Sequence, residues 1–169
     1  MFECLKQDLL RHCNILYGKP SLINILLVVI KSMGFQAMAV YRLGRWSSIL
    51  FEGSVLTFIR YFFLAIHFCL SRLIVKMYGI DIDRRAVIGK GLYIAHLAGI
   101  EIGNCVMGEL CSIHQHVKIG SAGNIENGQI PHIGSCVWIG PHAQITGNVM
   151  IGDNSTISAG AIVIGDVKA

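Results

Sequence analysis

The amino-acid sequence predicts an α+β protein in which an N-terminal helical region precedes a parallel β-helix. One observation is a repeat in the last third of the chain, where an aliphatic residue returns at every sixth position: Ile133, Ile139, Ile145, Ile151, Ile157 and Val163. This period fits neither a helix, whose period is about 3.6, nor an ordinary strand, whose period is about 2. It fits coils of three short strands, in which each aliphatic residue points inward beside a tight corner. The other observation is that residues 1–79 lack the repeat and show apolar, helix-like patterns.

Four helical segments are predicted before the repeat. They are residues 1–17, a segment that starts at Leu22 with Ser21 as its cap, residues 35–50 and residues 54–78. Gly34 is expected to interrupt the second segment. The last segment is the most apolar, but Arg60, His67 and Arg72 recur in it at helical spacing. This stripe favours an amphipathic helix, buried against neighbours or lying at a membrane surface, over a true membrane span.

The six-residue period also runs upstream, with irregularities. Its aliphatic positions there are Ile82, Ile88 and Ile94, then, after a slip of two residues, Ile102, Met107, Ile113 and Ile119. Residues 120–132 are rich in Gly and Asn and have no period, which predicts a loop that protrudes from one corner. Gly79 marks the change of pattern. The predicted organisation is therefore a helical region over 1–79 and a β-helix domain over 80–169.

The composition limits the class of protein. The chain has 169 residues, of which 53% are hydrophobic and only 14% are charged, against a usual charged fraction of about 25%. So much apolar surface predicts oligomerisation, membrane contact or both. A net charge of +4 is too small to indicate a nucleic-acid partner. Six scattered cysteines without a C-x-x-C pair favour reduced thiols in a cytoplasmic protein, and the charged residues before position 14 argue against a signal peptide.

Two polar features break the rules of the repeat. His96 lies just before the slip, and Asp81 lies fifteen residues earlier. If a coil has about eighteen residues, the two are expected on one face of adjacent coils, where a carboxylate orients an imidazole that acts as a general base. A lone histidine is nevertheless more often structural. The second feature is His114 and His116, which with His142 could bind a metal; a surface or interface strand is the preferred interpretation, and no metal is expected.

Residues 79–167 resemble the serine O-acetyltransferase branch of the hexapeptide-repeat acyltransferases. The segments that carry the resemblance are Asp81 to His96, Val117 to Gly120, Pro131 to Gly134 and Ile151 to Ala161. The resemblance implies a left-handed β-helix that assembles as a trimer or a dimer of trimers, with acetyl-CoA between adjacent β-helices. It implies His96 as the catalytic base and Asp81 as its orienting partner. The cofactor contacts that it implies are Gly120, Ser121, Gly140, Pro141, Ala159 and Gly160.

Three departures from that branch concern the acceptor. Serine-specific members have an aspartate before the catalytic histidine, where this chain has Ala95. They also have an Arg-His pair before the proline that closes the loop, where this chain has Gln129 and Ile130. An amino-acid acceptor needs partners for its ammonium and carboxylate groups, since a buried unpaired charge is costly. We therefore expect a closer likeness to the branch that acetylates sugars in capsule, exopolysaccharide or O-antigen precursors, some of them lipid-linked.

The function predicted from the sequence is acetyl transfer from acetyl-CoA to a sugar hydroxyl of a polysaccharide precursor. The apolar segment 22–78 suggests that this occurs in the cytoplasm at the inner face of the membrane, with peripheral lipid contact. A serine O-acetyltransferase of cysteine biosynthesis is the alternative. A non-catalytic or metal-binding β-helix is the third interpretation.

Overall fold

The computed structural model describes residues 2–49, 57–96, 98–120 and 130–169, with only the backbone at position 57. The helices in these ranges are α1 Phe2–Tyr17, α2 Leu22–Lys31, α3 Met33–Ile49 and α4 Thr57–Tyr78. The strands are β1 Ile80–Ile82, β2 Val87–Ile88, β3 Tyr93–Ile94, β4 Ile100–Ile102, β5 Val106–Met107, β6 Ser112–Ile113, β7 Lys118–Gly120, β8 His132–Ile133, β9 Trp138–Ile139, β10 Gln144–Thr146, β11 Met150–Ile151, β12 Thr156–Ile157 and β13 Ile162–Val163. Most of the loop predicted at 120–132 lies outside the described residues.

The described strands all pair in parallel, and each strand from β1 to β10 pairs with the strand three places further along the chain. The first sheet has the order β1-β4-β7-β10-β13, the second β2-β5-β8-β11 and the third β3-β6-β9-β12. Three consecutive strands therefore complete one coil, and the coils stack along an axis. This arrangement confirms the parallel β-helix that the six-residue period predicts.

The aliphatic residues of the repeat fill the interior of the coils. Ile82 is half-buried at the first coil, and every later one is buried: Ile88, Ile94, Ile102, Met107, Ile113, Ile119, Ile133, Ile139, Ile145, Ile151, Ile157 and Val163. Each strand thus contributes at least one side chain to a continuous core, to which β1 and β4 also add Ile80 and Ile100, and burial of this core is the main stabilising term. The positions beside them face outward, as in β8, where His132 is exposed.

The coils are unequal in length, because residues are added or lost at the corners. Ile82 pairs with Ile102, whereas Ile102 pairs with Ile119 and Ile145 with Val163. The strands stay in register although the number of residues between them changes. The slip seen in the sequence after Ile94 is therefore taken up entirely in the corner between β3 and β4.

The helical region packs on the first coils through α1, α3 and α4. Gly34 does not interrupt a helix as expected, because it lies inside the first turn of α3. The break falls at Ser32, whose hydroxyl accepts a hydrogen bond from the amide of Phe35 at 3.3 Å. A Cβ at Gly34 would lie 2.7 Å from the carbonyl oxygen of Ile94. The glycine is needed for close approach of α3 to the β-helix.

A buried ion pair joins two helices to the first coil. Asp8 of α1 is 0% exposed and Arg42 of α3 is 5% exposed, and Nε of Arg42 donates to Oδ2 of Asp8 at 3.0 Å. Their other partners are backbone groups of the β-helix: the amides of Gly91 and Leu92, which donate to Asp8 at 2.6 and 3.1 Å, and the carbonyl oxygens of Ile88 and Gly89, which accept from Arg42 at 2.6 Å each. The pair is thus satisfied on both sides, as a buried charge requires.

Candidate active site

His96 lies at the corner between β3 and β4 and is exposed. This is the corner that takes up the extra residues of the first coil, and its backbone is unusual. Ala98 has a φ of 119° and Gly99 a φ of 63°. Other non-glycine residues of the β-helix have positive φ values of 56–63°, so Ala98 is the outlier; a backbone of this kind typically costs about 1–3 kcal/mol, and such strain is concentrated at functional sites. An exposed imidazole on an enlarged, strained corner is therefore the first candidate for chemistry in this chain.

Asp81 lies on the other side of the same corner. It belongs to β1, whose residues pair with β4, the strand that leaves the corner. A Cβ at Gly79, two residues before Asp81, would lie 3.0 Å from the amide nitrogen of Gly99 at the end of the corner. The expectation of adjacent coils is wrong, because Asp81 in β1 and His96 after β3 belong to one coil, and the residue paired with Asp81 in the next coil is Glu101. The two side chains are exposed and form no hydrogen bond with each other; Asp81 is the middle residue of the strand beside β4, and the structure does not bring it into contact with His96.

The neighbour of His96 in the next coil is His114. Their ring centroids are 6.0 Å apart, and the ring of His114 lies 4.8 Å from that of Trp138 one coil further. Nδ1 of His114 donates to the carbonyl oxygen of Ile139 at 3.1 Å, which fixes the ring. Sequence reasoning missed this neighbour of His96. The pairing of β3 with β6 places the two histidines in neighbouring coils. The irregular period of the sequence between residues 94 and 107 hides this pairing.

The histidines considered for a metal have different surroundings from one another. Neither His114 nor His116 lies in a strand: His114 directly follows β6, and His116 is at the corner after it, with a φ of 58°. It stacks on His142 of the next coil at a centroid distance of 4.6 Å and an angle of 19°. Within residues 2–49, 57–96, 98–120 and 130–169, no group of three His, Cys, Asp or Glu side chains is placed to hold a metal ion.

Four of the predicted cofactor residues lie along the edge that carries His96. Ile94, Ile113, Ile139 and Ile157 are aligned by the pairing of the third sheet, so the residues that follow them in each coil form one edge. Those residues include Gly140 and Pro141 in one coil, and Ala159 and Gly160 in the next. Gly160, with a φ of 71°, has open space where a Cβ would lie. These small residues leave room for an extended ligand along the edge, beside the stacked rings of His116 and His142.

The two remaining predicted cofactor residues lie elsewhere. Gly120 is the last residue of β7, at the end of the first sheet away from His96. It shares an open concavity of about 430 Å³ with Asp81, Glu101 and Asn104 on the outer face of that sheet. Glu101 forms an ion pair with Lys118 at 3.2 Å there. Ser121 lies outside the described residues.

Comparison with known proteins identifies the family. Residues 130–165 match the model of the bacterial transferase hexapeptide (six repeats). A serine acetyltransferase of Synechococcus elongatus is 32% identical over 171 residues, which cover 100% of this chain and 64% of the relative. A serine acetyltransferase of Helicobacter pylori is 30% identical over 154 residues, which cover 90% of this chain and 84% of the relative.

The chain belongs to the serine acetyltransferase family.

Solved structures of the serine acetyltransferase family share the fold. The structure of soybean serine acetyltransferase complexed with serine has a TM-score of 0.75 and 26% identity, and the match covers 98% of this chain and 63% of the soybean chain. The expected fold class, N-terminal helices followed by a left-handed parallel β-helix, is therefore confirmed. The chain spans less than two thirds of the length of the Synechococcus and soybean relatives.

The prediction of a sugar acceptor is wrong. The relatives reported above are serine acetyltransferases along nearly the whole of this chain, and none of them supports polysaccharide acetylation. The prediction rested on three positions, Ala95, Gln129 and Ile130. It assumed that the charges of an amino acid can be met only there. Recognition depends on where charged groups lie in space, so a departure at three sequence positions does not decide the acceptor.

Proposed function

We propose that this protein transfers an acetyl group from acetyl-CoA to the hydroxyl of L-serine. The observation that carries the proposal is an exposed histidine, His96, on a strained corner of a β-helix that belongs to the serine acetyltransferase family. The soybean relative, whose structure is described as complexed with serine, supports serine as the acceptor.

In the proposed reaction, His96 accepts the proton of the serine hydroxyl as the hydroxyl oxygen attacks the thioester carbonyl carbon. A general base of this kind typically contributes about 100-fold to 10,000-fold to the rate. The new ester C–O bond forms and the thioester C–S bond breaks. The CoA thiolate that leaves takes the proton from the imidazolium, so that O-acetylserine and CoA are the products. Asp81, at the same corner, is proposed to orient His96.

We further propose that the working form is a homotrimer. In one chain, the edge that carries His96 and the end that carries Gly120 lie on opposite sides of the first sheet. When copies pack side by side, the edge that carries His96 in one copy lies against the face that carries Gly120 in another. The two parts of the proposed site, which are separate in a single chain, then come together. Large apolar side chains are exposed on the outside of all three sheets, at Ile162, Met150 and Trp138, and such surface is typical of interfaces. The free thiols are consistent with the cytoplasm, which we propose as the location.

The test is a comparison of serine-dependent turnover in wild type, His96→Ala and His132→Ala. His132 is an exposed histidine of the second sheet, away from the proposed site, and is the matched control. Loss of thioester absorbance is the readout, because Cys69 and Cys136 of the protein are exposed and would react with thiol reagents. We expect His96→Ala to lower kcat by about 100-fold or more, and His132→Ala to leave it within about twofold of wild type.

Two results would contradict the proposal. One is wild-type protein that consumes acetyl-CoA no faster with L-serine than without it. The other is His96→Ala that retains turnover within a few-fold of wild type. Asp81→Asn adds a second readout, because loss of an orienting partner should reduce kcat while the KM for acetyl-CoA stays nearly constant.

A further inference from the structure

The outward face of α4 is apolar and aromatic. Its exposed side chains are Phe58, Tyr61, Phe62, Phe68, Leu73 and Met77, and they recur at helical spacing along one side. Phe58 is 82% exposed. The segment Phe58–Tyr78 is long and apolar enough to cross a membrane, yet only 6% of it is buried in the protein. A core helix of a soluble protein would be mostly buried, so this face requires another explanation.

The inward face of α4 is covered by α3. Nδ1 of His67 donates to the carbonyl oxygen of Val40 at 3.2 Å, and the rings of Phe63 and Trp46 lie 5.3 Å apart. At the end of the helix, the hydroxyl of Tyr78 donates to Oε1 of Gln36 at 2.7 Å. Because α3 is itself fixed to the β-helix through Arg42, α4 cannot be surrounded by lipid. No residue in the part of the chain that the structure describes covers its outward face, and this is the geometry of a helix lying in a membrane interface.

The charges of the helical region indicate what covers this face. The helices α2, α3 and α4 contain no acidic residue, and their basic residues are Lys31, Arg42, Arg45, Arg60, Arg72 and Lys76. Arg72 and Lys76 are exposed at one end of the apolar face, and Arg72 lies 5.4 Å from the ring centroid of Phe68. Neither forms an ion pair with another described residue.

This charge pattern selects between two occupants of the face. A second copy of the chain, packed symmetrically through α4, would bring Arg72 and Lys76 of both copies into one interface. An anionic bilayer surface would instead neutralise Arg72 and Lys76 while the aromatic side chains enter the interface. We propose that α4 is a peripheral membrane helix whose outward face binds anionic lipid. The inference is independent of the acetyl acceptor.

The experiment is flotation of the full chain with vesicles of mixed phosphatidylserine and phosphatidylcholine, and with vesicles of phosphatidylcholine alone. We expect the wild type to float with the anionic vesicles and to be released by high salt, which screens the attraction. Arg72→Gln/Lys76→Gln should lower partitioning by about 30-fold, because each basic side chain near the surface contributes a factor of about five. Phe58→Glu/Phe68→Glu should lower it by at least about tenfold.

The matched control is Leu110→Glu/Ile164→Glu, which introduces the same two charges at exposed apolar residues of the β-helix domain that lie outside its strands. It should float like the wild type. Circular dichroism of each variant shows whether the helices remain folded, without reference to activity. Failure of the wild type to float, or equal loss in the control and the α4 variant, would overturn the proposal. It would also be overturned if Phe58→Glu/Phe68→Glu changed the size of the lipid-free protein in gel filtration, because the face would then be a contact between copies.

Discussion

The ion pair between Asp8 and Arg42 allows a quantitative prediction. Asp8→Ala removes the carboxylate that binds the guanidinium and two backbone amides, and leaves all three donors buried. Removal of one partner of a buried pair costs about 3–5 kcal/mol. In a domain of this length, 1 kcal/mol lowers Tm by about 2–4 °C. We therefore expect Asp8→Ala to lower Tm by about 6–20 °C.

The assay is thermal unfolding followed by circular dichroism. Glu3→Ala is the control, because Glu3 is on the same helix but exposed, with a single hydrogen bond from Gln7; its Tm should stay within about 2 °C of wild type. The double variant Asp8→Ala/Arg42→Met should recover part of the loss, since it leaves no buried charge unpaired. Equal shifts of Tm in Asp8→Ala and Glu3→Ala, or a double variant less stable than Asp8→Ala, would refute the reasoning.

Two further predictions concern the same helical layer. A Cβ in Gly44→Ala would collide with the imidazole of His67, so Tm should fall by an amount that corresponds to about 1–3 kcal/mol. In the control Gly165→Ala, the Cβ meets nothing within 4 Å, so Tm should change little. Equal shifts of Tm in the two variants would contradict the contact between Gly44 and His67. Burial lowers the pKa of His12 below its ordinary value of 6.5, so the unfolded chain binds a proton that the folded chain resists, and stability is lost as pH falls below about 6.5. Unfolding midpoints measured between pH 7.5 and pH 5 should therefore fall more steeply in wild type than in His12→Leu, and parallel slopes would contradict the prediction.

The repeat was readable from the sequence because its cause is local. Every strand of the β-helix needs one inward aliphatic side chain, and every corner needs residues that tolerate a tight turn. Ile139 and Ile145 show this period independently of how distant segments of the chain pack. The fold class could therefore be predicted from the sequence. His96 could be predicted as a candidate catalytic residue because it interrupts the regular pattern of the repeat.

The relations between coils could not be read in the same way. Asp81 was expected on the same face as His96 in an adjacent coil, whereas it pairs with Glu101 of the next coil, because the corner after β3 contains additional residues. A corner accepts additional residues without disturbing the strands on either side, so the period does not record them. The stacking of His116 on His142, and the proximity of His114 to His96, depend on that hidden register.

The helical region shows the same limit. Gly34 looks in the sequence like a helix break, but it serves a contact with Ile94, sixty residues away. Asp8 and Arg42 look like ordinary surface charges on amphipathic helices. Only their positions against the first coil show that they are buried together.

The sequence by itself determined the coil architecture, the helical region before it and the histidine that departs from the repeat. Each of these depends on interactions within a few residues, and periodicity records such interactions directly. The tertiary structure decided which residues share a corner with His96, how the helices are held to the β-helix and which face of α4 is left uncovered. These depend on contacts between distant segments, whose register is set by the lengths of corners that the repeat does not constrain.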